Sequence, residues 1–245
     1  PFELFPSEFT EGKKNMLING LVWMGEEHFM KTQIEEKLAQ GFSCIKLKIG
    51  AIDFKKELGL LRFIRQNFNA KTIEIRVDAN GAFSSNEALD KLYQLNEFEL
   101  HSIEQPIKAN QIQEMKRLCQ QTPFPIALDE ELIGVFGLEN KRTLLEEIQP
   151  QYIILKPSLV GGFKGTLEWI SIAKSLNIGW WITSALESNI GLNAITQFTY
   201  TLENPMPQGL GTGGLYTNNF DCPLEIQNGK IGYHPNKKWE TSSIL

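Results

Sequence analysis

The chain has 245 residues, with 24 Lys and Arg against 29 Asp and Glu, a formal net charge of −5. That balance excludes a generic nucleic-acid binder, which needs a basic face to neutralise phosphates, and 42% apolar with 22% charged residues is a globular composition. No window approaches the roughly 20 apolar residues of a membrane-spanning helix, and the opening PFELFPSEFTEGKKN has no signal-peptide core.

Short apolar runs then alternate with segments of helical period. A first strand is predicted over 16–24 (MLINGLVWM) and a helix over 26–40, closed by Gly41 as a C-cap. CIKLKIG (44–50) puts Ile45, Leu47 and Ile49 on one face and Lys46 and Lys48 on the other, the period of a strand. A helix over 54–67, a strand over 73–80 and a helix over 85–96 follow, the last with Ser84 or Ser85 as N-cap. The rhythm continues as strand 101–106, helix 111–120, strand 125–131, helix 141–148, strand 152–158, helix 163–176, strand 179–184 and helix 188–200. A last short strand and a Gly-rich loop share 206–214, and the tail after Asp221 reads as irregular with a small hairpin at Asn228-Gly229.

Eight strand segments separated by seven helices make a parallel α/β fold. A closed TIM-type barrel of (β/α)7β form takes roughly 250 residues and fits better than an open doubly wound sheet. Cys44, Cys119 and Cys222 are odd in number and far apart, with no CxxC pair, which suits a reducing cytoplasm and small buried apolar roles. The chain does not begin with Met, so a processed or longer product is expected. Of the two tryptophans at 180–181, one is expected inside the barrel and the other beneath a helix. His28, His101 and His234 lack metal-like spacing, and His28, His234, Lys164 and Glu187 read as surface or loop residues.

The ionisable residues carry the chemistry. Lys48, Asp78, Glu104, Asp129 and Lys156 fall at the ends of consecutive predicted strands, one βα unit apart. Such strand ends converge on one barrel mouth, where barrel active sites lie. Three carboxylates there repel one another unless a cation intervenes. Oxygen ligands without His or Cys point to Mg²⁺, with Mn²⁺ the alternative. The ion would act as a Lewis acid on a substrate carboxylate while a lysine of lowered pKa removes the adjacent proton. Two inward lysines, Lys46 and Lys48, need partner charges. The glycines of 159–165 and 209–214 match neither a P-loop nor a dinucleotide fingerprint and read as mouth turns. Thr183, Ser184 and Ser188 are open to two readings, substrate contact or cap and turn.

KLK (46–48), VDAN (77–80), SIEQP (102–106), LDEE (128–131) and LKPSLVGG (155–162) together resemble the enolase superfamily, muconate-lactonising subgroup. TSALESNIGLNA (183–194) and QGLGTGGLYTNN (208–219) are similar to the o-succinylbenzoate synthases of menaquinone biosynthesis within it. Dipeptide epimerases carry an Asp-x-Asp motif after the eighth strand, where this chain has Gly209-Leu210-Gly211. The resemblance implies a barrel over 16–220, with 1–15 a remnant or linker from an α+β capping domain largely absent from this chain and 221–245 a tail packing with it.

It also implies a cytoplasmic lyase that dehydrates a small-molecule carboxylate. Asp78, Glu104 and Asp129 would hold Mg²⁺. Lys48 would abstract the α-proton and help protonate the leaving hydroxyl. Lys156 would face the enediolate as a cation, and Lys46 would keep the Lys48 pKa down. Asn80 would orient the metal ligands, and Thr183, Ser184, Gly209 and Gly211 would meet the substrate's succinyl tail. The alternatives are an N-succinylamino-acid racemase, in which Lys48 and Lys156 act as opposed bases, and a non-catalytic barrel fragment.

Overall fold

The computed structural model describes residues 2–240; residue 1 and residues 241–245 of the predicted terminal segments lie outside the described residues. Seven parallel strands form one sheet in sequence order: β2 (Gly20–Val22), β3 (Cys44–Lys48), β4 (Glu74–Asp78), β5 (Ser102–Glu104), β6 (Ile126–Leu128), β7 (Tyr152–Leu155) and β8 (Gly179–Ile182). Seven helices follow them one by one: α1 (Glu27–Ala39), α2 (Phe54–Asn67), α3 (Ala88–Leu95), α4 (Ile112–Gln121), α5 (Leu138–Ile148), α6 (Gly162–Ser175) and α7 (Asn189–Tyr200). The edges meet through residues 208–209. Gln208 bridges Ile18 ahead of β2, and Gly209 bridges Thr183 beyond β8, both in parallel sense. The sheet thus closes into a (β/α)7β barrel, as the alternation predicts.

The two faces of each strand separate cleanly. Ile45, Leu47, Ile75, Val77 and Ile103 point outward and share one apolar core with helix residues such as Ile34, Leu61 and Leu92. That outer layer is the main burial term of the fold, at about 25 cal/mol per Å² of apolar surface removed from water. Inward-facing Ala127, Ile154 and Trp181 form a separate small cluster on the barrel axis. Trp180 joins the outer core and Trp181 the inner one, as the period of two requires. All three cysteines are buried and unpaired.

Three expectations are corrected. The predicted strand over 16–24 is two elements. Met16–Leu17 (β1) pairs with Lys230–Tyr233 (β10), which pairs in turn with Leu224–Gln227 (β9); only Gly20–Val22 joins the barrel. Among the described residues the tail after Asp221 is therefore not irregular, and the hairpin expected there turns at Asn228 and Gly229, both with positive φ (50° and 67°), the geometry of a two-residue type I′ loop. Helix α3 starts at Ala88 without a Ser84 or Ser85 side-chain cap, because 84–87 form a turn in which Glu87 Oε1 accepts the Ser84 N–H at 3.3 Å.

Candidate active site

Register brings the charges together. Lys48 pairs with Asp78 across β3 and β4, and Asp78 pairs with Glu104 across β4 and β5. Each side chain points into the barrel because it shares parity with the inward positions of its strand. Asp129 follows β6 and Lys156 follows β7, so both stand at the same C-terminal mouth.

Lys46 Nζ lies 3.1 Å from Asp78 Oδ2 and donates to Glu104 Oε2. Lys48 Nζ is 2.9 Å from Asp78 Oδ2 and 2.6 Å from Asn80 Oδ1. Lys156 Nζ donates to Asp129 Oδ2. Asn80, in the left-handed region at φ 43°, also donates its backbone N–H to Asp78 Oδ1 (3.0 Å) and its amide to Glu130 Oε1 (2.9 Å). The loop that follows Lys48 is held by Glu57, whose Oε1 accepts the N–H groups of Gly50 (2.6 Å), Ala51 (3.2 Å) and Ile52 (3.4 Å).

Burial disfavours the carboxylate of Glu104, and the charges of Asp78 and Asp129 add to it, so Glu104 titrates well above the ordinary range despite Lys46 and Lys156. Burial pushes Asp78 the same way, but Lys46 and Lys48 outweigh it and hold Asp78 well below the carboxylate range. Burial works against the ammonium of Lys46, yet Asp78 and Glu104 raise its pKa. Lys156 is raised likewise, with burial opposed by Asp129 and Glu104. Carboxylates, not cations, are the nearest charges of Lys46 and Lys156.

Among the described residues no three His, Cys, Asp or Glu side chains stand grouped as a ready metal cage. Lys46 bridges Asp78 and Glu104, and Asp129 is turned to Lys156. The donor set nevertheless fits a hard divalent ion. Three almost fully buried carboxylates stand on neighbouring strand ends, and Glu104 Oε1 is buried with no hydrogen-bond partner.

These charges form the base of a cavity of about 260 Å³. Lys46, Lys48, Asp78, Glu104 and Lys156 line it; Asp129 does not, since Lys156 covers it. Thr183, Ser184, Gly209 and Gly211 line the opposite wall. The hydroxyls there are engaged: Thr183 Oγ1 donates to the Gly209 carbonyl at 2.9 Å, and Ser184 Oγ lies 2.6 Å from Thr212 Oγ1. Of the two readings left open, the turn role is thus occupied at both positions, which also face the cavity. Ser188 precedes α7 without a side-chain cap bond.

Sequence reasoning missed Asn19, Leu21 and Trp23, which line the cavity beside Lys48. The centre of the Trp23 ring lies 5.8 Å from Lys48 Nζ, and Asn19 Oδ1 is buried without a partner. Their alternation in LINGLVW is the same period of two that exposed Lys46 and Lys48. It also missed Arg76, buried two residues before Asp78. Arg76 bonds Glu74 Oε1 (2.7 Å) and the Pro207 carbonyl (2.9 Å) and lies 4.2 Å from the centre of the Trp181 ring.

The model of the enolase C-terminal domain-like family matches residues 30–235. An o-succinylbenzoate synthase of Desulfotalea psychrophila is 57% identical over 230 residues, 94% of this chain and 62% of that protein. The crystal structure of MenC from Desulfotalea psychrophila LSv54 superposes with a TM-score of 0.88 at 55% identity, covering 94% of this chain and 64% of that one. A muconate cycloisomerase from Pseudomonas fluorescens, 24% identical, shares the fold with a TM-score of 0.81, covering 94% of this chain and 64% of its own. The chain thus spans a little under two thirds of the length of these relatives.

Proposed function

The chain belongs to the enolase C-terminal domain-like family, and from that premise we propose that it carries the catalytic barrel of an Mg²⁺-dependent o-succinylbenzoate synthase. The reaction is the syn-dehydration of 2-succinyl-6-hydroxy-2,4-cyclohexadiene-1-carboxylate to 2-succinylbenzoate, a step toward menaquinone in the cytoplasm. No helix among the described residues is long and apolar enough to cross a membrane.

One observation supports this reading most: three lysines and three carboxylates, spread over 110 residues of sequence, meet in ion pairs at one end of one barrel. Asp78, Glu104 and Asp129 would hold the ion. When bound, Mg²⁺ supplies Lewis acidity toward a substrate carboxylate. Lys48 takes the proton from the carbon beside that carboxylate, so it must reach the substrate neutral. The same ammonium then stands on the face from which the hydroxyl departs and gives that oxygen the proton, so that water leaves. Lys156 remains an ammonium on the other side and offsets the negative charge that the C–H cleavage creates. Asn80 holds Lys48 and Asp78 at fixed separation through its two hydrogen bonds. Trp23, Leu21 and Leu159 give the cavity an apolar wall for the cyclohexadiene ring.

The test is direct. The chain with Mg²⁺ is given the cyclohexadiene substrate and the loss of its absorbance is followed. Turnover that disappears in Glu104→Gln supports the proposal. Unchanged absorbance, or racemisation of N-succinylamino acids in its place, removes it.

A further inference from the structure

Gln105 is fully buried and every hydrogen-bonding position of its amide is used. Oε1 accepts the backbone N–H of Asp129 (3.2 Å) and that of Glu131 (3.3 Å). Nε2 donates to the Ile107 carbonyl (3.0 Å) and to Glu131 Oε2 (3.1 Å). Glu131 is itself buried, and its other oxygen accepts the Asn110 N–H at 2.8 Å. One amide thus ties the turn after β5 to the turn after β6.

The backbone of Gln105 is also unusual. Its φ is +39°, in the left-handed region, and Pro106 follows. A residue before proline is driven toward extended conformations, so this position is strained twice over. The strain persists because the surroundings hold it. The Gln105 N–H donates to the Ala127 carbonyl (2.9 Å), and the Gln105 carbonyl accepts the Gly81 N–H (2.7 Å). Gly81 follows Asn80, and a side chain there would meet the Lys108 backbone at 2.9 Å. The turns that carry Asp78, Glu104 and Asp129 are therefore laced through a single residue, which faces none of the cavity.

Accordingly, we propose that Gln105 is the positioning residue of this site, setting the separation of the Glu104 and Asp129 carboxylates so that they can share a divalent cation. The inference rests on the metal reading above. A ligand carboxylate held by its own backbone N–H cannot drift when lysine and cation compete for it, and outer partners of metal ligands are commonly worth 10–100-fold in affinity. Glu131 is the essential counterpart, because it accepts from the Gln105 amide while its own N–H closes the ring.

The test is Mn²⁺ binding by the chain, read from the electron paramagnetic signal of the free ion, alongside thermal melting without metal. Gln105→Met keeps the volume and loses all four bonds. Gln105→Glu keeps the two acceptor bonds but sets one carboxylate against another. The double variant Gln105→Glu, Glu131→Gln restores a donor–acceptor pair with the roles exchanged. Wild type is expected to bind and Asp129→Asn not to. Both single variants should weaken Mn²⁺ binding about 10–100-fold, and the exchange should recover most of it. If Gln105→Met does not fold, Gln105→Glu and the exchange still decide. Wild-type affinity in folded single variants, or no recovery in the exchange, overturns the inference and leaves the reading of the site standing. No binding by wild type, or unchanged binding in Asp129→Asn, removes both.

Discussion

Lys48 and Asp78 occupy the same register of adjacent parallel strands, and their charged ends meet at 2.9 Å. Asp78 does not depend on that contact alone, since Lys46 Nζ also reaches it at 3.1 Å. Asp78 thus keeps a lysine partner when Lys48 is replaced, so the proton-transfer role proposed for Lys48 can be tested without orphaning that carboxylate. Lys48→Ala is expected to cut dehydration by about 10²–10⁴, the usual weight of general acid–base catalysis, while Mn²⁺ binding survives. Lys48→Arg should be as inactive, because a guanidinium cannot give up its proton near neutral pH. Turnover within tenfold of wild type in either variant would assign the proton transfer elsewhere.

The charge of Glu104 is costly in the protein alone. Burial, Asp78 and Asp129 all raise its pKa. Replacing it by Gln removes that repulsion, and Lys46 keeps Asp78 as a partner. Glu104→Gln should therefore melt within a few degrees of wild type, as a substitution without cavity or orphaned charge does, yet lose divalent-ion affinity by more than about 100-fold, beyond what outer partners contribute. Calorimetric titration with Mg²⁺ and a melting curve on the same sample check both halves.

The split between what was legible and what was not follows from range. Lys46 and Lys48 were readable because a strict period of two sets two lysines on a strand face that a barrel turns inward. Asp78, Glu104, Asp129 and Lys156 were readable because each ends an apolar run. Trp23 and Asn19 were missed because 16–24 reads as one apolar strand, and only pairing of Met16–Leu17 with the C-terminal hairpin shows where it divides. Gln105 was missed for a different reason. Its meaning lies in bonds to Asp129 and Glu131 across a βα unit, which no local pattern encodes. The lysine pKa directions depend on which side chain each ammonium meets, and that too is settled only by packing.

His101 is expected to give the barrel a stability that varies with pH near neutrality. Burial lowers its pKa, and the charge of Arg76 acts in the same direction against Glu74. The ring packs on Tyr152 (4.9 Å between centroids) and Trp181 (6.0 Å). A depressed histidine contributes stability above its unfolded pKa of about 6.5, which is lost as pH falls below that value. The buried acids raised above their usual range act oppositely, so the comparison must be a difference. The melting temperature of wild type minus that of His101→Phe should shrink steadily between about pH 7 and pH 5. A constant difference would mean that His101 takes its proton equally in both states.

The seam between β8 and residues 208–209 leaves no room for a side chain at Gly209. A Cβ built on Gly209 would lie 2.2 Å from Thr183 Oγ1 and 2.7 Å from Thr183 Cβ. The same two residues form the parallel bridge and the 2.9 Å hydrogen bond that close the barrel. Gly209→Ala must therefore push Thr183 aside, an overpacking that costs about 1–3 kcal/mol. The cavity wall formed by Thr183 and Ser184 moves with it, so the KM for the cyclohexadiene should rise as stability falls. Thr183→Gly removes the obstructing atoms and leaves the nearest at 3.2 Å. In a double-mutant cycle the pair should then be less destabilised than the two single changes summed, by about 0.5–3 kcal/mol, the range for residues in direct contact. Additive losses would show that Gly209 is small for the substrate's sake and not for the seam, and would return it to the substrate-contact role that its place in the cavity wall also allows.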